Sequence, residues 1–376
     1  MSTTFFTPEH EALRLSLRSF AESELAPYAQ EWEEAHHFPD SVFTRMGEAG
    51  FLGLCYPPQY GGQGRDYLCS IVLAEELARC ESGSVALAVE AHTDMATPPI
   101  NKFGTEEQKL EYLAPAIRGE KIACLGITEP GAGSDVQRIS TYARRDGSDW
   151  VITGRKTFIT NGVRAHFCTL LAKTDGGFNV FLVDKGLPGF AVARALDKVG
   201  IRASDTAELV LDEVRVPSTK VLGEEGKGFY HIMWELQGER LAGSAGMVAG
   251  ARFLLEKTIR YAREKTASGV PLIKRQAIAH RLADLAARIE AARQLVYWAA
   301  WLVSQGQYPV KEISMTKLST ARLSFEMADT CLQVFGAGGY SMELPIERAW
   351  RDSRMGRIGG GTDEIMRDVI GRMEGS

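Results

Sequence analysis

The chain has 376 residues, 45% of them apolar and 24% charged, enough for two or three domains with ordinary globular cores. Formal charge is 43 − 48 = −5 and the sequence pI is near 5.9; this balance excludes nucleic acid as the main partner but leaves room for a local cationic site for a phosphorylated ligand. Six scattered cysteines (Cys55, Cys69, Cys80, Cys124, Cys168 and Cys331), with no CxxC pair and no His/Cys cluster, exclude a disulfide scaffold or zinc site and suit free thiols in a reducing compartment.

The N-terminal stretch MSTTFFTPEHEALR meets acidic residues early and has no apolar signal core. From residue 8 to about 30, Leu13, Leu17, Phe20 and Leu25 recur at helical spacing behind a Thr7-Pro8 start signal. Residues 56–64 (YPPQYGGQG) form a loop, and helical patterns resume at 70–79 and at 106–117, the latter behind Thr105 as N-cap. From about Ile122 short β-rich runs follow at 150–152, 167–172, 180–183 and 207–211, a small β domain ending near Val221. Helical patterns return at 228–265, 276–303 and 311–335. The longest strongly apolar run without a charge, 295–303, is well short of the roughly 20 residues of a membrane span. The expected organisation is α+β in three domains: helical at 1–121, β at 122–225 and helical at 226–376. A soluble, cytoplasmic protein with no membrane span is expected.

The common nucleotide signatures are missing. Gly131-Ala132-Gly133 and Gly336-Ala337-Gly338 both lack the third glycine of GxGxxG, and no Walker A, HExxH or GxSxG element occurs. Three other segments carry candidate chemistry. TEPGAGSD (128–135) has small residues that let a backbone approach a ligand, with Thr128 and Ser134 as hydroxyl donors. RKTFITNG (155–162) is a β-like run with an aromatic among hydroxyl residues, and IGGGTDEI (358–365) sets three glycines before a helix. Each alone also fits a plain surface turn, a hairpin or the loop before a helix.

In this order and spacing, together with YGG (60–62), FGTEEQK (103–109), SDTAEL (204–209) and RQAI (275–278), the segments resemble the acyl-CoA dehydrogenase family over nearly the whole chain. The resemblance implies that family's fold: an N-terminal helical domain, a middle β-barrel-like domain and a C-terminal four-helix bundle. It also implies an FAD enzyme, usually a homotetramer, that introduces an α,β double bond into an acyl-CoA and passes electrons to an electron-transferring flavoprotein. Leu125, Ile127, Thr128, Gly133 and Ser134 would then line the flavin, with Phe158 and Ile159 beside the ring and Thr160 donating to N(5). Lys265, Arg275, Gln276, Gln333, Val334, Phe335, Gly336 and Ala337 match FAD-binding segments given by a neighbouring subunit, and Thr362 and Glu364 match the adenosine diphosphate contacts. Ser134, Gln237, Arg240 and Gly361 are the matching substrate contacts. Two departures stand out: Lys265 replaces an arginine and loses its bidentate fork, which predicts weaker FAD retention, and Ala337 replaces a glycine, which matters only if that position needs positive φ.

Dehydrogenation needs a base for a weakly acidic α-proton and a polarised thioester carbonyl. Many members of the family place a glutamate in the C-terminal loop, where this chain has Gly360. The sequence then resembles the long-chain and isovaleryl-type members, whose base is a glutamate directly before an arginine on the first long C-terminal helix, here Glu239-Arg240. The residues agree. Glu239 shares a helical face with Ile232, Leu236, Ala242, Gly243 and Gly246, has no cation at i+3 or i+4, and has Glu235 at i−4, a setting that raises a carboxyl pKa. Gly360 would still offer its backbone N–H to the thioester carbonyl. No metal spacing occurs among the seven histidines, and His36-His37 read as surface residues. Arg348, Arg351, Arg354 and Arg357 read as a solvated or subunit-contact stripe. Residues 84–97 would form part of the acyl-tail wall, where Glu90, His92 and Asp94 are more polar than a simple fatty chain wants. A medium, long or branched acyl group is expected. The alternatives are a carrier-protein-bound acyl substrate, a flavin oxidase on the same fold, and a scaffold without catalysis.

Overall fold

The computed structural model describes residues 5–375. Helices fill the first third: α1 (Pro8–Phe20), α2 (Ala29–Ala35), α3 (Ser41–Glu48), α4 (Leu68–Leu77), α5 (Gly83–Glu90), α6 (Pro98–Phe103), α7 (Glu106–Gln108) and α8 (Ala114–Ile117). The single helix expected over 8–30 is interrupted by a wide π-type turn at Ala21–Leu25 and a tight turn at Ala26–Tyr28, because Pro27 has no N–H to continue the ladder. Thr7 starts α1 as expected, and His10 completes the cap: its Nδ1 accepts from the Thr7 N–H at 3.0 Å while Nε2 lies 2.9 Å from Asp66. Packing thereby gathers His10, Asp66 and Cys69 within 4.8 Å, a trio invisible in sequence spacing, with both ring nitrogens already engaged.

Helix α4 is apolar all round and sits inside the helical domain. Its Glu75 and Glu76 are tolerated there because Arg14 reaches them at 2.6 and 3.0 Å, Arg18 grips Glu76 at 2.9 Å, and the Tyr297 hydroxyl donates to Glu75 at 2.6 Å.

The middle third is β: β1 (Ala123–Gly126), β2 (Tyr142–Asp146), β3 (Asp149–Thr160), β4 (Phe167–Thr174), β5 (Gly177–Asp184), β6 (Phe190–Ala195), β7 (Thr206–Pro217) and β8 (Val221–Leu222). They form one sheet in the order β6-β7-β3-β2-β4-β5-β8, with β1 parallel to β4. β2 and β6 escape the apolar pattern because most of their side chains face solvent.

The C-terminal third begins with α9 (Gly228–Glu264). A two-stranded hairpin of β9 (Thr266–Ala267) and β10 (Val270–Pro271) leads to α10 (Gln276–Ser304) and α11 (Val310–Phe335). Short α12 (Ala337–Tyr340) and α13 (Ile346–Ser353) precede α14 (Asp363–Glu374), which packs on α11 to complete a bundle with α9 and α10. Among the described residues no helix is long and apolar enough to cross a membrane, and the six cysteines are free.

The arginine series 348–357 is not a solvated stripe. Arg348 is buried and donates to the Glu81 and Ala29 carbonyls and to Gln30; Arg351 joins Glu33 at 2.9 Å and Glu347 at 2.6 Å; Arg357 joins Asp363 at 2.8 Å. The period of three that suggests an exposed face instead docks α13 onto the N-terminal domain; only Arg354 is exposed.

Candidate active site

The loop 128–135 is held from below. Glu129, buried at 4% exposure, accepts from the Ser140 N–H at 2.5 Å, the Ser140 hydroxyl at 2.7 Å and the Thr141 N–H at 2.9 Å. Lys156, fully buried on β3, donates to the same carboxylate at 2.8 Å and to the Ile127 carbonyl at 3.0 Å. The lysine cation and these hydrogen bonds outweigh burial and hold the Glu129 carboxyl down at about 2. With the carboxylate tied inward, Gly131 and Gly133 stand in the open, where a Cβ would meet nothing within 4 Å, and Ser134 is exposed.

Strand β3 loses register against β7 between Lys156 and Ile159, and at this bulge Phe158 takes φ 58 with its ring 69% exposed. A bulky residue in the left-handed region with its aromatic face in water is costly on two counts, and the second is relieved by a planar ligand laid on the ring. Thr160 ends β3 half-buried. Beyond it Asn161 donates to the Ala88 carbonyl at 2.8 Å, and Asp205 accepts from the Val163 N–H and from Arg164, each at 2.6 Å. The TNG and SDTAEL segments therefore meet and clamp the β domain onto α5.

Glu239 stands on α9 in the wall of a cavity of about 250 Å³, a wall that also includes Glu90, Arg240, Lys317 and Gly360. Gly360 has φ +65, and a Cβ there would lie 3.1 Å from Glu239 Oε1. The carboxylate on α9 thus occupies the space that a side chain at 360 would enter. Arg240 Nε donates to the Gly360 carbonyl at 2.8 Å, and Lys317 on α11 donates to the Gly361 carbonyl. Two buried cations therefore hold the triple-glycine loop by its carbonyls.

Burial pushes the Glu239 carboxyl up, with Arg240 and then Lys317 pulling it back. The i+3/i+4 expectation of no neighbouring cation is therefore incomplete, because Lys317 comes from another helix. Glu235 is buried with both carboxylate oxygens unpartnered among the described residues, and its pKa is pushed well above the usual range by burial first and Glu239 second. Gln237, also buried, donates to the Met233 carbonyl at 3.2 Å and leaves its Oε1 unpaired.

The comparisons with known proteins fall on this architecture. Family models for the N-terminal, middle and C-terminal domains of acyl-CoA dehydrogenase match residues 7–120, 124–214 and 226–374. The chain belongs to the acyl-CoA dehydrogenase family. It is 38% identical to the short-chain specific acyl-CoA dehydrogenase of Bos taurus mitochondria, over 96% of this chain and 89% of that one. It is 37% identical to the long-chain specific enzyme of Rattus norvegicus mitochondria, over 98% and 86%. The solved structure of butyryl-CoA dehydrogenase from Megasphaera elsdenii superposes with a TM-score of 0.96 at 33% identity, covering 100% of both chains.

Acyl-CoA dehydrogenases are FAD-dependent oxidoreductases, and this chain is one of them. The residues present fit a flavin: the Phe158 side chain is exposed and free to stack, and the backbone at Gly131 and Gly133 is open to a close approach. Leu125 and Ile127 at the end of β1, with Ile159 buried and Thr160 half-buried at the end of β3, complete this group.

A second group lies elsewhere. Lys265, Arg275 and Gln276 are exposed at the far end of α9 and the start of α10, next to the end of α11, where Phe335 stacks on Tyr261 at 3.9 Å. Glu239 lies within α9 and Lys265 caps its C-terminal end, 265 − 239 = 26 residues on, roughly 39 Å at 1.5 Å per residue, so the two cannot serve one flavin ring within one chain. The left-handed residue of the 333–337 segment is Gly336 and not Ala337, so the alanine departure causes no backbone strain. Thr362 caps α14 by accepting from the Ile365 N–H at 3.3 Å, and Glu364 is exposed beside it. Sequence reasoning missed Lys156, Glu129 and Lys317. Lys156 and Glu129 stand inside the quoted motifs, but only the fold pairs them.

Proposed function

We propose that this enzyme dehydrogenates an acyl-CoA thioester to the trans-2-enoyl-CoA, with Glu239 as the base that takes the α-proton. When bound, FAD would supply the oxidant for the β-hydrogen, taken as hydride, and its electrons would pass to an electron-transferring flavoprotein. The observation that carries the reading is the Glu239 carboxylate in the cavity wall, 3.1 Å from where a side chain at Gly360 would begin. A base needs a pKa near its working pH, and burial moves Glu239 in that direction. The Gly360 N–H, on a loop tied down through its carbonyls by Arg240 and Lys317, is placed to donate to the thioester oxygen as negative charge develops there. Ser134 and Gly361 border the substrate, while Arg240 acts on it through the loop.

Thr128 and Thr160 offer hydroxyls to the flavin, and Phe158 offers a stacking face. Lys265, Arg275, Gln276 and residues 333–337 serve the FAD of a second copy, since they stand too far along α9 to reach their own. A homo-oligomer follows, and a dimer of dimers satisfies the pairing. A medium, long or branched acyl group is the substrate class, in a cytoplasmic setting.

The test is Glu239→Gln. Proton transfer by a positioned base contributes about 10²–10⁴-fold, so the variant keeps its yellow colour and loses at least 100-fold in kcat. Full turnover in the variant would remove Glu239 from the mechanism.

A further inference from the structure

The cavity does not stop at Glu239. It follows α9 past Gly243, Gly246 and Gly250, opposite Ala74 of α4 and Ala78 just beyond that helix, and reaches Lys257, roughly 27 Å along the helix. Glycine inside a helix costs up to about 1 kcal/mol against alanine, and here three of them leave room for an extended chain.

Charged groups on the far wall are paired, Lys257 with Glu81 at 2.6 Å and Asp352 with the Ile201 N–H, but one carboxyl is not. Glu90 ends α5 with its carboxyl turned to α9, Oε1 lying 2.8 Å from where a Cβ at Gly243 would stand. The neighbouring polar residues are satisfied by the protein. Asp94 accepts from the Ser70 and Thr93 hydroxyls at 2.6 Å each, and His92 lies 3.0 Å from the Ala116 carbonyl and 3.1 Å from the Ala123 N–H. Glu90 has no hydrogen bond or ion pair among the described residues. Burial, then Asp94 and Glu239, push its pKa well above the usual carboxylate range, which favours the protonated form that can donate a hydrogen bond. A polar group in an apolar channel is costly unless a partner arrives with the ligand.

Resting on the dehydrogenase reading above, we infer that Glu90 is a specificity-determining residue that donates a hydrogen bond to an oxygen function, such as a hydroxyl, carried by the acyl chain. Gly243 stands one helical turn beyond Glu239, about 6 Å, and an extended chain advances about 1.3 Å per carbon. Counted from the α-carbon, the oxygen belongs near the sixth carbon.

The experiment compares dodecanoyl-CoA with 6-hydroxydodecanoyl-CoA on the holoenzyme, by anaerobic flavin bleaching and by kcat/KM, in the native chain, Glu90→Leu and Glu90→Gln. The native enzyme should favour the hydroxylated thioester about tenfold, the yield of one hydrogen bond to a donor in the cavity wall. Glu90→Leu should reverse the preference, and Glu90→Gln, which keeps a donor, should retain it. A native enzyme that does not favour the hydroxylated ester overturns the assignment, and so does a preference that survives Glu90→Leu. The native ratio decides the matter even if a variant fails to fold. Bleaching by both esters without discrimination removes only the role of Glu90, whereas no bleaching by any acyl-CoA removes the dehydrogenase reading with it.

Discussion

Lys156→Met tests whether the flavin loop is held from beneath. The substitution keeps the volume and stem of a fully buried side chain but removes the cation 2.8 Å from Glu129 and the donor to the Ile127 carbonyl. Breaking a buried pair by losing one partner costs about 3–5 kcal/mol. Glu129 would retain three donors from Ser140 and Thr141, which places the loss at the low end. Linkage gives a similar size: a carboxyl lowered from 4.5 to about 2 contributes at most about 3.4 kcal/mol. Because the folded-state pKa is depressed, this stability is present above pH 4.5 and is lost as pH falls from 4.5 towards 2. A thermal melt at pH 7 should drop by roughly 5 °C or more, with a lower ratio of flavin to protein absorbance after gel filtration. Acid unfolding of the variant should begin at higher pH. The double variant Glu129→Gln/Lys156→Met, which buries no lone charge, should recover part of the melt. An unchanged melting temperature with full flavin occupancy would refute the reasoning.

Two further predictions concern the base and its loop. Gly360→Ala places a Cβ on a residue at φ +65 and 3.1 Å from Glu239 Oε1; about 1–2 kcal/mol of backbone strain and a displaced carboxylate should lower kcat at least tenfold while FAD stays bound, and unchanged turnover would show that the loop has more freedom than its ties allow. Burial lowers the Lys317 ammonium to about 8, so kcat of the native enzyme should rise as Glu239 deprotonates and decline above about pH 8 as the charged donor to Gly361 is lost. Lys317→Met should abolish the alkaline decline and move the acid limb to higher pH, because a cation that lowers the Glu239 pKa is gone; a superimposable profile would remove Lys317 from the control of the base.

Much of this protein is legible in one dimension because its information is local. Helical periodicity locates α9, α10 and α11 to within a residue or two, since each must bury a stripe over many turns. The TEPGAGSD and GGGT segments declare close backbone approaches, and Glu239 on an apolar helix face declares a carboxyl out of water. Tertiary structure decided the rest. Which carboxylates are satisfied depends on donors from distant elements: Ser70 for Asp94, Lys156 for Glu129, and none for Glu90 or Glu235. The period-three arginines read alike in sequence, yet three of the four are drawn into the chain by partners far from them in sequence or across a turn. A charge's environment is set by atoms gathered from the whole fold, so periodicity can say that a group leaves water but not what it meets there.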